Sequence, residues 1–554
     1  MNDKYWSYEV MKQPLLNLVN VLIFSVIFGA CNGGSDGSPL GEGSDGSPLG
    51  EGGDGSPWDK KVWDKEDYLH LEKERVEGSV ASLGLPIWDS ASRGGNRDQY
   101  PAYVNKDGSV DVAWSWRNRK SLGSPEHPEP EVGWMVVTRI KPVGDSYVVD
   151  HHWKFRSMKF LSFLRDEDGY NYLATTPNNN WDNYPEFKNV GLVLAKLKPD
   201  FSEFEYITGP RNDVDESTPL LVNGGGVMRY GGGRFRMSVV KTIIHSNQST
   251  AMIDPATGQT IAKEGGGQHT SGGRMVYDPR DDVFVTWRTS EGSPRGIGTR
   301  KWTADTVLNK WKKHYPTLWA KHRCPSNGGN VNVTKLFMEL GDLLPSPSGY
   351  VAVHALEQTA ECEEHNNNGP WNLTLVHLPR DFNEMPLPDD WDLWNLPPER
   401  EFPWTNYVVD THVGNDQTSE LLHDKDPRGK ALNSGLVWLT HHTEIGQKAY
   451  NPRLLEIGYN EYLLLFNRGK GDGPRGLGKV YAMVIDEFGH VLREEVYVGD
   501  AQLPKGDYLF HLDDKVAWVT GEKPKPKLGE EGPGRLVLNT VSKSDFTYTR
   551  HEIN

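Results

Sequence analysis

The sequence predicts an all-β chain folded as a β-propeller, on three observations. From about residue 93 to 554 there is almost no helical periodicity. Short β-branched and aromatic runs recur instead, broken by Gly, Asp, Asn and Pro. One unit repeats: a strand, a tight polar turn, then a second strand often ending in an aromatic. A second hairpin type accompanies it, AMIDPATGQTI (251–261) beside AMVIDEFGHVL (482–492). Two hairpins make a four-stranded sheet, and such sheets set around a ring leave only short edges unprotected.

In chain order the first hairpin type reads AYVNKDGSVDVAW (102–114), FLSFLRDEDGYNYLA (160–174), RMVYDPRDDVFVTW (274–287), LLPSPSGYVAVHA (343–355), RLLEIGYNEYLLLF (453–466) and YLFHLDDKVAWV (508–519). Asp107-Gly108 and Asp168-Gly169 supply the positive φ that two-residue hairpins need. Hairpin pairs begin near residues 100, 158, 226, 272, 336, 453 and 507. This predicts seven blades of about 66 residues, with six or eight left open. The stretch at about 381–450 fits least well: DFNEMPLPDDWDLWNLPPEREFPW is rich in Pro and Trp and reads as a long insertion. Two β-sandwiches would also give many short strands, but the repeated hairpin pair favours the propeller. The Trp-Asp, kelch and sialidase Asp-box signatures are absent, so the pattern reaches architecture and no particular family.

The N-terminal part is of another kind. Leu15 to Ala30, LLNLVNVLIFSVIFGA, is short for a membrane span and suits the apolar stretch of a signal peptide. Met11-Lys12 precedes it and Phe28-Gly29-Ala30-Cys31 follows. This resembles a bacterial lipoprotein signal, which implies cleavage after residue 30, lipid on Cys31, and a place in the cell envelope at the outer membrane or cell surface. Phe28 stands where such signals usually have Leu, and Met11 competes with Met1 as the start. Residues 34–42, GSDGSPLGE, are repeated letter for letter in 43–51. A Gly/Ser/Asp/Pro tract has almost nothing to bury, so 31–58 reads as a flexible linker. Residues 59–92 form a transition, and the propeller occupies 93–554.

Composition narrows the function. With 36% hydrophobic, 10% aromatic and 25% charged residues the chain can bury a core and is no disordered polyelectrolyte. An acidic balance of 76 Asp and Glu against 60 Lys and Arg, net −16, argues against a sequence-independent nucleic-acid binder. Three cysteines are too few for a disulfide scaffold or a Cys-rich zinc fold. With Cys31 assigned to lipid, Cys324 and Cys362 remain, and an exported chain favours a disulfide between them over two buried thiols.

The sharpest internal signal is a long-range repeat. WRTSEGSPRGIG (287–298) matches FNRGKGDGPRGLG (466–478), with six residues from Arg288 to Pro294 and six from Arg468 to Pro474. Each copy follows a second strand, and each unit opens on an arginine, Arg274 or Arg453. In a propeller the loop between strands two and three shares a face with the connection between blades. Arg288, Arg295, Arg468 and Arg475 are therefore expected on one face with the connections GGGQHTSGGR (265–274) and THHTEIGQKAYNPR (440–453), which carry His269, His441 and His442. Convergent guanidinium and imidazole groups suit an anion, so an acidic glycan is a natural ligand. The same arginines have a second use, since an arginine opening an inner strand can bond the carbonyls of the next blade.

Catalytic signatures are thin. GPRGLGKV (473–480) has phosphate-loop spacing but carries Val480 where Ser or Thr must hold magnesium, and it precedes a strand. There is no G-x-S-x-G elbow, no fixed metal spacing such as HExxH, and no sign of a cofactor. The expectation is a lipid-anchored extracytoplasmic propeller that binds an acidic glycan or an envelope protein. A polysaccharide lyase or glycoside hydrolase on the same scaffold, or an envelope scaffold, is the alternative.

Overall fold

Turn residues at the ends of apolar runs decide where this chain reverses, and the reversals define its strands. The computed structural model describes residues 73–77, 100–116, 133–157, 159–176, 193–208, 226–240, 248–255, 260–265, 273–290, 296–303, 317–318, 338–357, 370–380, 436–470, 478–504, 508–522 and 535–553. Residues 1–58, with the signal-like stretch, Cys31 and the repeat linker, lie outside the described residues, as do Cys324 and Cys362.

Gly108 and Gly169 adopt φ of +79° and +87°, as their Asp-Gly context predicts. Their loops are not two-residue turns. Gly108 N bonds Asn105 O at 3.0 Å while Asn105 N bonds Ser109 O at 2.7 Å, and Gly169 and Gly489 repeat the pattern on Asp166 and Asp486. This is a turn of the ordinary hand closed by one left-handed residue, a three-residue hairpin. The aspartate carboxylates rigidify these loops by accepting nearby backbone N–H groups, as Asp166 does from Tyr170 at 2.8 Å and Asp486 from His490 at 2.9 Å.

The strands fall into consecutive antiparallel meanders. The first is β2 (Ala102–Val104), β3 (Val110–Trp116), β4 (Gly133–Val143) and β5 (Ser146–Ser157), with β1 (Lys73–Val76) added antiparallel outside β5. The second is β6 (Lys159–Arg165), β7 (Asn171–Thr176), β8 (Val193–Leu197) and β9 (Phe204–Thr208). The third is β10 (Gly226–Gly231), β11 (Arg234–Val240), β12 (Gln248–Ile253) and β13 (Thr260–Gly265). The fourth is β14 (Gly273–Asp278), β15 (Val283–Ser290), β16 (Gly296–Thr303) and β17 (Thr317–Leu318). The fifth is β18 (Met338–Pro345), β19 (Gly349–Glu357), β20 (Trp371–Pro379) and β21 (Leu436–Trp438). The sixth is β22 (Gln447–Gly458), β23 (Glu461–Lys470), β24 (Gly478–Ile485) and β25 (Val491–Ala501). The seventh is β26 (Phe510–Leu512), β27 (Lys515–Glu522), β28 (Arg535–Ser542) and β29 (Tyr548–Ile553). A single parallel pair, Trp371 with Lys448, links the fifth meander to the sixth.

Hydrophobic burial joins the meanders face to face in a ring. Ala113, Val137 and Phe155 of the first pack on Phe163, Leu173 and Phe201 of the second. Tyr172 and Leu194 continue to Met228 and Phe235 of the third, and Val227 to Met275 and Phe284 of the fourth. Between the fourth and fifth, β14 lies beside β18, and Arg280 donates from Nη1 to Ser346 O at 2.7 Å. Leu373 and Leu375 of the fifth meet Leu464 and Phe466 of the sixth, whose other face, Leu463 and Val480, meets Trp518 of the seventh. The circuit closes where Leu512, Val519 and Leu538 of the seventh pack on Val110, Val112 and Trp114 of the first. The fold is a β-propeller. Among the described residues its ends meet by packing, with no strand exchanged between first and last meanders.

Two expected boundaries shift. In the stretch expected as an insertion, 436–438 is β21 and β22 begins at Gln447, while 381–435 lies outside the described residues. The expected transition at 59–92 contributes β1 to the first sheet.

Candidate functional site

Two first strands carry the bulges that organise the interior. Pairing of β18 with β19 jumps between Leu340 and Leu343, and pairing of β22 with β23 jumps between Tyr450 and Arg453. Gly341-Asp342 and Asn451-Pro452 are thereby extruded, with Asn451 at φ +54°. The two bulges pack on each other. A Cβ on Gly341 would lie 2.7 Å from Val353 O and 2.8 Å from Pro452 Cγ, so only glycine fits.

The bulge in β18 delivers a fully buried carboxylate to the arginines of neighbouring sheets. Asp342 Oδ2 accepts from Leu454 N at 2.9 Å, while Oδ1 lies 3.4 Å from Arg274 Nε and 3.6 Å from Arg453 Nη1. Arg274 also donates to Gly341 O at 3.2 Å. Arg453 donates to Pro504 O, to Pro452 O at 3.1 Å and to Asn451 Oδ1 at 3.0 Å. Beside them Arg229 donates to Met275 O at 3.0 Å and lies 4.2 Å from the Tyr508 ring. Tyr508 itself, on the connection into the seventh sheet, donates to Met275 O at 2.6 Å. Arg274 and Arg453, at 4% and 1% exposure, therefore take the carbonyl-bonding role. They tie the fourth, fifth and sixth sheets together from inside.

A second cluster sits where the fifth meander joins the sixth. The connection from β21 to β22 folds back over the start of β20. Thr440 Oγ1 accepts from Leu373 N at 2.9 Å. Asn372 then clamps the backbone of His442, accepting from its N at 2.6 Å and donating to its O at 2.9 Å. This puts the buried His442 ring near Arg468, and burial, with Arg468 and His441 adding to it, holds the imidazole pKa below its ordinary value. His441, next along, is exposed. Lys448 Nζ lies 5.2 Å from the Trp371 ring. On β23, beside β22, Arg468 lies 5.5 Å from the Tyr481 ring and pairs with Glu495 at 2.6 Å.

Two ring nitrogens of this cluster, His442 Nε2 and Trp371 Nε1, are buried and have no hydrogen-bond partner among the described residues. Buried polar atoms are nearly always satisfied, so a pair of them flanked by Lys448 and Arg468 marks a place suited to acceptor atoms carrying negative charge.

A Ser–His–Glu grouping sits at the hairpin end of the same two sheets. Ser348 Oγ lies 2.8 Å from His377 Nε2, but its hydroxyl and its backbone N–H both donate to Glu487 Oε2, at 2.7 and 3.0 Å. The carboxylate holds the serine rather than backing the imidazole, so the set works as a staple between turns. Among the described residues no three His, Cys, Asp or Glu side chains gather as a metal site.

Of the residues singled out in the sequence, the structure brings His441, His442 and Arg468 near one another and puts Arg274 and Arg453 in the interior. Arg288 pairs through its backbone with Gly273 and Gly298 in the fourth sheet. Arg295, Arg475 and His269 lie outside the described residues, as does the side chain of Arg288. Sequence reasoning missed Trp371, Asn372, Lys448 and Tyr481. The Asn372 side chain is committed to holding His442.

No family model matches the chain, and no curated protein matches it. Solved structures do align with it at low identity. The β-propeller domain of the trilobed protease from Pyrococcus furiosus shares 6% identity at a TM-score of 0.35, over 81% of this chain and 97% of that one. An ulvan lyase, from a polysaccharide lyase family, shares 9% at 0.37, over 85% and 94%. The α-L-arabinofuranosidase of Fusarium graminearum shares 10% at 0.29, over 71% and 80%.

Proposed function

We propose that this chain is a lipid-anchored, extracytoplasmic propeller of seven blades that binds an acidic glycan where its fifth sheet joins its sixth. The carrying observation is the pair of buried ring nitrogens, His442 Nε2 and Trp371 Nε1, without a partner among the described residues and flanked by Lys448 and Arg468. An unsatisfied buried polar group costs about 1–3 kcal/mol, and a ligand carboxylate or sulfate relieves that cost while meeting two cations. The aromatic faces of Trp371 and Tyr481 suit the apolar face of a sugar ring better than a small inorganic anion. The lipoprotein-like signal ending at Cys31 and the Gly/Ser/Asp/Pro linker support tethering to an envelope membrane, with the body reaching outward.

The test is a binding screen of the full chain against acidic and neutral polysaccharides, with product release followed in the same samples. Acidic polymers are expected to bind and neutral ones not. Arg468→Ala is expected to weaken acidic binding at least about tenfold, the loss of one charge-assisted hydrogen bond, with the melting temperature unchanged. Equal binding of neutral polymers would overturn the reading. New reducing ends or unsaturated products would convert the binder into a hydrolase or lyase, and binding of an envelope protein alone would leave the scaffold alternative.

A further inference from the structure

We infer that the ring is held shut from its interior, with Tyr508 as the strap that keeps the seventh meander closed on the first. At that seam no strand is exchanged among the described residues, and the two meanders meet through side-chain faces. Leu512, Ala517, Val519 and Leu538 lie on one side, and Val110, Val112 and Trp114 on the other. At the outer strands Tyr147 of β5 meets His551 of β29 edge-on at 5.1 Å. Apolar packing is non-directional, so it leaves two faces able to slide or part. A shared strand would have added a row of directed backbone hydrogen bonds.

To leave the first meander, the seventh must turn about the connection that enters it. The described residues of that connection, 502–504 and 508, are tied to three meanders. Trp518 Nε1 of the seventh donates to Gln502 O at 2.8 Å. From the sixth, Asn451 Nδ2 donates to Leu503 O at 3.1 Å, and Arg453 Nε donates to Pro504 O. Leu503 and Pro504 are buried. Tyr508 then donates its hydroxyl to Met275 O at 2.6 Å, on β14 of the fourth meander.

That bond joins meanders that are not neighbours. The seventh packs on the sixth and the first, whereas the fourth packs on the third and lies beside the fifth. β14 pairs on one side only, with β15, so an inward carbonyl on its other edge is open to a side-chain donor. Arg229 of the third meander fixes the arrangement. Its Nε donates to the same Met275 O at 3.0 Å, and its guanidinium stands 4.2 Å from the Tyr508 ring. Both acceptor sites of that carbonyl are thereby used. Beside them Arg274 and Arg453 meet on Asp342, so the third to seventh meanders are braced at one place. On the far side of the seam, Asp111 of the first meander pairs with Arg165 of the second at 2.7 Å. The seam is thus where the ring can open, and Tyr508 restrains it.

The test is alkylation of a cysteine placed in the seam of the full chain, Ala517→Cys, followed by mass spectrometry. Ala174→Cys, between the second and third meanders, is the reference, and both alanines are fully buried. Reading peptide by peptide keeps Cys31, Cys324 and Cys362 apart from the introduced thiol. Adding Tyr508→Phe keeps the ring and deletes the donor. It is expected to speed labelling in the seam about fivefold, the effect of one hydrogen bond lost from the closed state, and to leave the reference rate unchanged. Tyr508→Leu, which also removes the contact with Arg229, is expected to speed it further. An unchanged seam rate in both variants would overturn the strap. So would equal acceleration at both cysteines, which marks general loosening. Val519→Cys, in the same seam, takes the place of Ala517→Cys if that chain does not fold.

Discussion

Asp342 and Arg468 hold opposite ends of the range that a charged side chain occupies here. Asp342 is fully buried between two guanidinium groups and one backbone N–H. A buried pair repays its desolvation only through close partners, and deleting one member strands the others in a low-dielectric interior. Asp342→Ala leaves Arg274 and Arg453 without their counter-charge and is expected to cost about 3–5 kcal/mol in urea unfolding. A loss below about 1 kcal/mol would show that the guanidinium groups are carried by carbonyls alone. Arg468, paired with the part-exposed Glu495, is a surface residue by comparison, and its loss is expected to leave stability nearly unchanged.

At the scale of the element, strands and turns are largely legible in the sequence. Hairpin starts read near residues 100, 158, 226, 272, 336 and 507 match β2, β6, β10, β14, β18 and β26 within three residues. The exception teaches most. The sixth unit reads as starting at 453, yet β22 starts at Gln447, because the bulge at Asn451-Pro452 interrupts the alternation and proline reads as a strand end. Its counterpart at Gly341-Asp342 is equally silent in the sequence, since a glycine inside a strand pattern says only that something approaches closely. Gly341→Ala forces a methyl against Val353 O and Pro452 and is expected to destabilise by about 1–3 kcal/mol, read as a lowered urea midpoint. Unchanged stability would mean that the two bulges can slide apart.

At the scale of the whole ring, the meanders of the described residues hold one another by packed faces, and several histidines are caught between them. His354 is fully buried with its ring against Thr374 Oγ1, at 2.8 Å from Nε2, and burial pushes its pKa down to about 3 from an ordinary 6.5. Burial also lowers His377, His442 and His551. For each of these the unfolded chain takes up its proton at higher pH than the folded one. Stability is therefore complete above about pH 6.5 and falls as pH drops below it, by up to about 1.4 kcal/mol per pH unit for one group. For His354 the loss continues to about pH 3. The expected result is a melting temperature that declines between about pH 6.5 and 5, and declines less steeply in His354→Gln. The comparison of the two proteins cancels the opposing relief of a net charge of −16 on acidification. Parallel pH profiles would remove His354 as the cause.

The sequence by itself determined the all-β class, the meander period and the turn positions, because alternation and turn chemistry are local properties of a few adjacent residues. It also left two uses open for its arginines. Which arginine is buried against a carboxylate and which is part-exposed was decided only in the tertiary structure. Arg453 and Arg468 lie fifteen residues apart on paired strands of one hairpin. One faces a carboxylate extruded from the neighbouring sheet, and the other lies against Tyr481 and pairs with Glu495. Burial follows from register, bulge and the adjoining sheet, and none of these is written in the residues next to either arginine.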